Sequence, residues 1–234
     1  MADTPTPQPA APIPAKPRVP RSPQDQADAN LINTYRGCLT AAQGSPDLVA
    51  LMQPRGYDAA GLQDGLDSCD QAQSAFNARQ LALDAKGTVS KAFKAADSAA
   101  RAGYTDFSRI AAKVMAANPT AKAALVVPAR LLKDQEKFLT NVEAAYNTAL
   151  ARTTYLAALG KRGYTAEAIQ AELAKLTALT QASAAYDTAA QEATRTTTDR
   201  KAAVKALKTW WAEFYAVAQV ALKDRPDLLG LLES

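Results

Sequence analysis

The sequence predicts an all-α protein: duplicated antiparallel three-helix units forming a helical bundle, with an extended Pro-rich N-terminal arm. Three observations predict it. Alanine dominates a 234-residue chain in which aromatic residues are only 6%, a composition suited to closely packed helices rather than sheets. Apolar residues recur at spacings of three and four, the helical period. Finally, Arg55-Gly56-Tyr57 returns as Arg162-Gly163-Tyr164 at an offset of 107 residues (164 − 57 = 107). The offset then holds without a gap, pairing Leu62 with Ile169, Leu66 with Leu173, Tyr104 with Trp211, Phe107 with Phe214 and Pro119 with Pro226. The expected organisation is an arm over 1–24, a first helical repeat over 25–127 and a second over 128–234.

The arm carries eight prolines, which cannot donate a regular hydrogen-bond ladder, so it is expected to be extended or disordered. It reads either as a solubilising tail or as a docking arm whose cations Lys16, Arg18 and Arg21 meet an acidic surface. From Gln24 a helix presents Leu31, Tyr35, Cys38 and Leu39 on one face, with Asp28, Arg36 and Gln43 elsewhere, and Gly44 ends it. Ser45-Pro46-Asp47 restarts a short helix with Ser as cap and Pro at the first helical position. After the Arg55-Gly56-Tyr57 turn, Asp58 caps a helix with Leu62, Leu66, Cys69, Phe76 and Leu83 on one stripe, and Gly87 is expected to interrupt it. A further helix carries Phe93, Ala100, Tyr104, Phe107 and Ala111 and stops at Asn118-Pro119.

Val127-Pro128 marks the seam between repeats. An uninterrupted helix to about Leu159 should open the second, carrying Phe138, Val142, Ala145 and Leu156, with Gly160 ending it. Arg162-Gly163-Tyr164 turns the chain and Thr165 caps a helix through Ile169, Leu173, Leu176 and Tyr186. A break is expected at Thr196 to Thr198, then a last long helix through Val204, Leu207, Trp211, Phe214 and Leu222. In both turns glycine supplies the left-handed residue, tyrosine packs over the turn, and Arg55 and Arg162 are expected to hydrogen-bond the preceding helix's last carbonyls. An arginine beside glycine and tyrosine also invites an anion-holding reading.

The Arg-Gly-Tyr turn and the tail from Trp211 to Leu229, with Phe214 and Pro226-Asp227-Leu228-Leu229, resemble a loose group of uncharacterised bacterial all-helical proteins built from tandem copies. The resemblance implies duplication and brings no activity with it.

Little in the chain points to catalysis. Histidine is absent, which removes the usual general base near neutral pH and the paired Glu-x-x-His ligands of a di-iron bundle. Asp64, Asp67 and Asp70 recur every three residues but read as a solvated face, because calcium ligands usually come from a wrapping loop. Cys38 and Cys69 read as small buried hydrophobes, or as a bridge between the first two helices in an oxidising compartment. No cofactor or metal is expected. No run reaches the roughly 18 apolar residues of a membrane span, and a soluble, cytoplasmic protein is expected.

What remains is contact surface. Trp210 and Tyr215 form either an exposed aromatic patch or partly buried rings covering the helix pair. Lys201, Lys205 and Lys208 share one helix face, as do Lys91, Lys94 and Arg101 on the matching helix, and such rows either track phosphates or solvate a helix. With a net charge of +4, the sequence predicts a non-enzymatic structural or assembly subunit that self-associates through helical surfaces and the arm. The alternative is a basic helical module that binds nucleic acid or an acidic protein.

Overall fold

The structure is a computed structural model and describes residues 22–233. The arm cations Lys16, Arg18 and Arg21 lie outside the described residues. The elements are all helical, in the order α1 (Pro23–Gln43), α2 (Pro46–Met52), α3 (Ala59–Val114), α4 (Pro119–Leu125), α5 (Gln135–Ala151), α6 (Thr153–Gly160), α7 (Ala166–Ala221) and α8 (Pro226–Leu229). Short 3₁₀ turns cover Gln53–Arg55, Ala129–Leu132 and Gly230–Leu232. No helix among the described residues is long and apolar enough to cross a membrane.

Local chemistry sets most helix ends. Ser22 and Ser45 cap α1 and α2 through their hydroxyls, each with proline at the first helical position. Asp58 Oδ1 accepts from the amides of Ala60 and Gly61, both at 3.0 Å, and Thr165 Oγ1 accepts from Ala168 at 3.3 Å, so α3 and α7 start on side-chain caps. Asn118 does the same for α4. Gly56 (φ 87°) and Gly163 (φ 92°) are the only positive-φ residues among those described. That region costs an L-residue about 1–2 kcal/mol, so Gly56→Ala and Gly163→Ala should each destabilise by about that amount in thermal unfolding. Gly87→Ala should instead stabilise by about 1 kcal/mol, because Gly87 sits mid-helix with open space where a Cβ would go.

Two expected breaks are helical, and one helix expected to be continuous is broken. α3 runs unbroken for 56 residues through Gly87, since a single glycine penalty of about 1 kcal/mol is small beside the packing of so long a helix. α7 also runs 56 residues, straight through Thr196 to Thr198. Threonines in this helix bond back to the carbonyl four residues earlier, as Thr188 does to Ala184 and Thr194 to Ala190, both at 3.0 Å, while Thr196 is buried. Conversely, the helix expected to reach Leu159 without a break is interrupted at Arg152, which is extended (φ −105°, ψ 102°). Ser45, also extended, stands 107 residues earlier (152 − 107 = 45). The first break has a glycine and a proline beside it and the second has neither, while Leu159 on the helix that follows is fully buried.

The chain forms two compact units. Unit 1 takes residues 22–81 and 195–233; unit 2 takes Ala82–Thr194. Each therefore draws on both halves of the sequence. In unit 1, α1, α2 and the first half of α3 close on the second half of α7 and the C-terminal turns, around Ile32, Leu39, Met52, Leu62, Phe214 and Leu222. In unit 2, the second half of α3 and α4 close on α5, α6 and the first half of α7, around Phe107, Phe138, Tyr146, Leu159, Ile169 and Leu179. Within each unit the two long helices run antiparallel, and one glycine lets them approach. A Cβ on Gly65 would collide with the ring of Trp210 in unit 1, and a Cβ on Gly103 with the carboxylate of Glu172 in unit 2. These are corresponding pairs with the small residue exchanged (172 − 107 = 65; 210 − 107 = 103).

Candidate functional site

The densest polar chemistry lies inside unit 1. Asp25 and Asp28, three residues apart on the first turns of α1, face Arg79 of α3 and Arg200 of α7. Arg79 and Arg200 each donate through Nη1 to Asp25 Oδ1 at 2.7 Å, and Arg200 Nη1 lies 3.0 Å from Asp28 Oδ2. Gln24 donates to Asp28 Oδ1 at 2.8 Å and Gln80 to Asp25 Oδ2 at 3.4 Å. Asp25, Asp28, Gln80 and Arg200 are all buried, and the two carboxylates balance the two guanidiniums. Burial alone would raise the Asp25 pKa, but the hydrogen bond from Arg79 and the charges of Arg79 and Arg200 outweigh it and hold the carboxyl below its ordinary value. The Nε atoms of Arg79 and Arg200 and Oε1 of Gln80 are buried without a hydrogen-bond partner.

Unit 2 has no such layer. The positions 107 residues from Asp25, Arg79 and Arg200 hold Leu132, Tyr186 and Phe93, and Phe93 stacks on Tyr186 with centroids 5.8 Å apart. One unit thus carries a buried ionic layer where the other carries an aromatic pair. Sequence reasoning put Asp28 off the apolar face of α1, and the structure places it on that face, in line with Asp25, Ile32, Tyr35 and Leu39. The spacing of three and four already ran through both aspartates (25, 28, 32, 35, 39), and that was the available signal.

Beside the ionic layer opens a cleft of about 440 Å³ lined by Gln24, Asp28, Arg200, Lys201, Val204, Lys205 and Lys208. The lysine row read from the sequence is brought together here. Lys91 and Lys94 of the matching row are exposed in unit 2. Arg101 leaves that row for a structural role: it donates to Asp97 and to the carbonyl of Leu132, and its guanidinium lies 4.4 Å from the Phe138 ring centre.

The two Arg-Gly-Tyr turns have like surroundings. Tyr57 meets Phe214 edge-on at 5.2 Å in unit 1, and Tyr164 meets Phe107 edge-on at 5.3 Å in unit 2. The preceding carbonyls are satisfied by backbone amides, Tyr57 N to Met52 O at 3.3 Å and Tyr164 N to Leu159 O at 3.2 Å, instead of by the arginines. Arg55 and Arg162 are exposed because the glycine-centred turn has already used those acceptors. Arg162 lines a second cleft of about 740 Å³ with Arg109, Lys113, Ile110, Ala112 and Val114. No protein-family model, curated protein or solved structure matches the chain.

The remaining sequence candidates fall at separate places. Trp210 is half-buried, stacked on Phe214 at 5.2 Å, while Tyr215 stacks on Trp211 and donates to Glu233 at 2.6 Å, so the two rings serve different flanks of the unit 1 core. Asp64, Asp67 and Asp70 are exposed, with Asp70 paired to Arg36 at 2.6 Å. Among the described residues no group of three or more His, Cys, Asp or Glu side chains is placed to hold a metal. Cys38 and Cys69 are both buried in the unit 1 core, and burial pushes the Cys69 thiol up to about 11. Thiolate is therefore scarce at neutral pH, and Cys69 should react with a disulfide reagent such as dithionitrobenzoate only after denaturant exposes it. Stoichiometric labelling of Cys69 in the native protein, located by peptide mass spectrometry, would contradict that.

Proposed function

We propose that the protein is a non-enzymatic, cytoplasmic structural or assembly subunit, formed by duplication of one helical segment and active by self-association. The observation that carries the reading is the exchange between the halves. The turn before each long helix is packed by the phenylalanine of the other long helix, Tyr57 by Phe214 and Tyr164 by Phe107, with nearly equal geometry. A stripe that finds its complement in the other copy finds the same complement in a second chain, which is how exchange of identical elements builds oligomers. The basic arm at Lys16, Arg18 and Arg21 supplies further contact surface.

Size-exclusion chromatography with light scattering tests the proposal on the full chain and on a variant lacking residues 1–21. The expected result is a concentration-dependent oligomer that is weakened by removing the arm. A monomer at every concentration, unchanged by the deletion, would remove the assembly reading.

A further inference from the structure

The lysine-lined cleft of unit 1 differs from the other basic cleft in its electrostatics. Arg109 and Lys113 lie on the last turns of α3, where their charges complement the negative end of the helix dipole and the unpaired carbonyls, so the net field offered to an anion there is reduced. The unit 1 cleft instead receives the N-terminal end of α1 through Gln24, the end whose dipole favours anions. The charge of Arg200 is already matched by Asp25 and Asp28, so this residue anchors the wall. Lys201, Lys205 and Lys208 are exposed, and the one acidic residue that lines the cleft with them, Asp28, is engaged by Arg200 at 3.0 Å.

We propose that this cleft docks the sugar-phosphate backbone of duplex DNA without reading its sequence. From Lys201 to Lys208 the helix rises about 10 Å. Three steps of about 3.4 Å along one strand, bounded by four phosphates, cover a similar axial length, so each of the three lysines can neutralise one phosphate within that span. The lining contains no aromatic ring on which unpaired bases could stack, which favours a duplex over a single strand. Its one apolar residue, Val204, gives an acidic protein no pocket for the buried anchor that protein contacts rely on. The proposal is independent of self-association.

The test is fluorescence anisotropy of the full chain with a labelled random-sequence duplex of about 20 base pairs. Three neutralised phosphates give a log–log salt slope of about −2.7, so affinity should fall about 40-fold or more between about 50 and about 200 mM salt. Lys201→Ala/Lys205→Ala/Lys208→Ala should lose most of that salt dependence and at least about tenfold in affinity at the lower salt. The glutamine triple at the same positions, which keeps much of each side-chain stem, should show the same loss. Lys91→Ala/Lys94→Ala/Lys113→Ala removes equal charge from exposed positions of unit 2, one of them in the second cleft, and should bind like the parent. The proposal is overturned by a parent that does not bind at the lower salt or by equal losses in the two alanine triples. It is also overturned by a polyglutamate of matched charge that binds more tightly than the duplex, which would assign the cleft to an acidic protein.

Discussion

Arg200→Leu should lower the unfolding free energy by about 3–5 kcal/mol, because it leaves the buried Asp28 without a cation and Asp25 with Arg79 alone. Moving the corresponding unit 2 residues into the layer should do far less harm. The variant Asp25→Leu/Asp28→Gln/Arg79→Tyr/Arg200→Phe copies Leu132, Gln135, Tyr186 and Phe93 and should come within about 2 kcal/mol of the parent, since apolar replacement of a whole buried ion network is often neutral. Guanidinium denaturation at neutral pH measures both. A loss under about 1 kcal/mol for Arg200→Leu would mean that water reaches the layer and solvates the orphaned carboxylates.

Acid gives the same layer a second signature. The Asp25 carboxyl is held below its ordinary value of 3.8, so its contribution to stability is complete above that value and is lost as pH falls through the lower folded-state value. Parent stability should therefore fall as pH drops below about 4, while the four-residue variant, which lacks the Asp25 carboxyl, should lose less over the same range.

Gly65→Ala should destabilise by about 1–3 kcal/mol, although alanine is the better helix former, because its Cβ would occupy space held by the Trp210 ring. In a Trp210→Ala background the same substitution should change sign and stabilise by about 1 kcal/mol, the helix-propensity difference alone. The double-mutant cycle isolates the contact: additivity within about 0.5 kcal/mol would show that the ring is not seated on Gly65. In unit 2, Gly103→Ala should be milder, because the group opposite is the flexible end of Glu172, which can swing on its stem. Glu172 Oε1 accepts from Lys175 at 2.7 Å and its Oε2 is buried without a hydrogen bond, so moving the carboxylate outward also relieves that atom.

What the sequence makes legible follows from how local each signal is. Caps at Ser45, Asp58 and Thr165 and the turns at Gly56 and Gly163 depend on a few adjacent residues, and they are readable without tertiary knowledge. Breaks at Gly87 and at Thr196 to Thr198 looked equally local but depended on what the helix packs against, and long-range burial carried both segments through as helix. The ionic layer was hidden for another reason. A charge is ordinarily assigned to the wet face, and only the register shared with Ile32 and Leu39 betrays Asp25 and Asp28. Its cationic partners, 54 and 175 residues from Asp25, have no local mark at all. The lysine row was visible as a row, but its opening beside the α1 N-terminus required the fold.

Because unit 1 needs residues from both ends of the chain, the order of synthesis fixes the order of closure. Unit 2 has all its segments once Thr194 has been made, whereas α1 must wait for the part of α7 from Arg195 onward. At about 5–20 residues per second, the 40 residues from Arg195 to Ser234 (234 − 194 = 40) take about 2–8 s to make. Throughout that interval α1 lacks the α7 segment that covers its apolar side. The aspartates at its head give that helix a charged, soluble tip until Arg200 arrives to neutralise them.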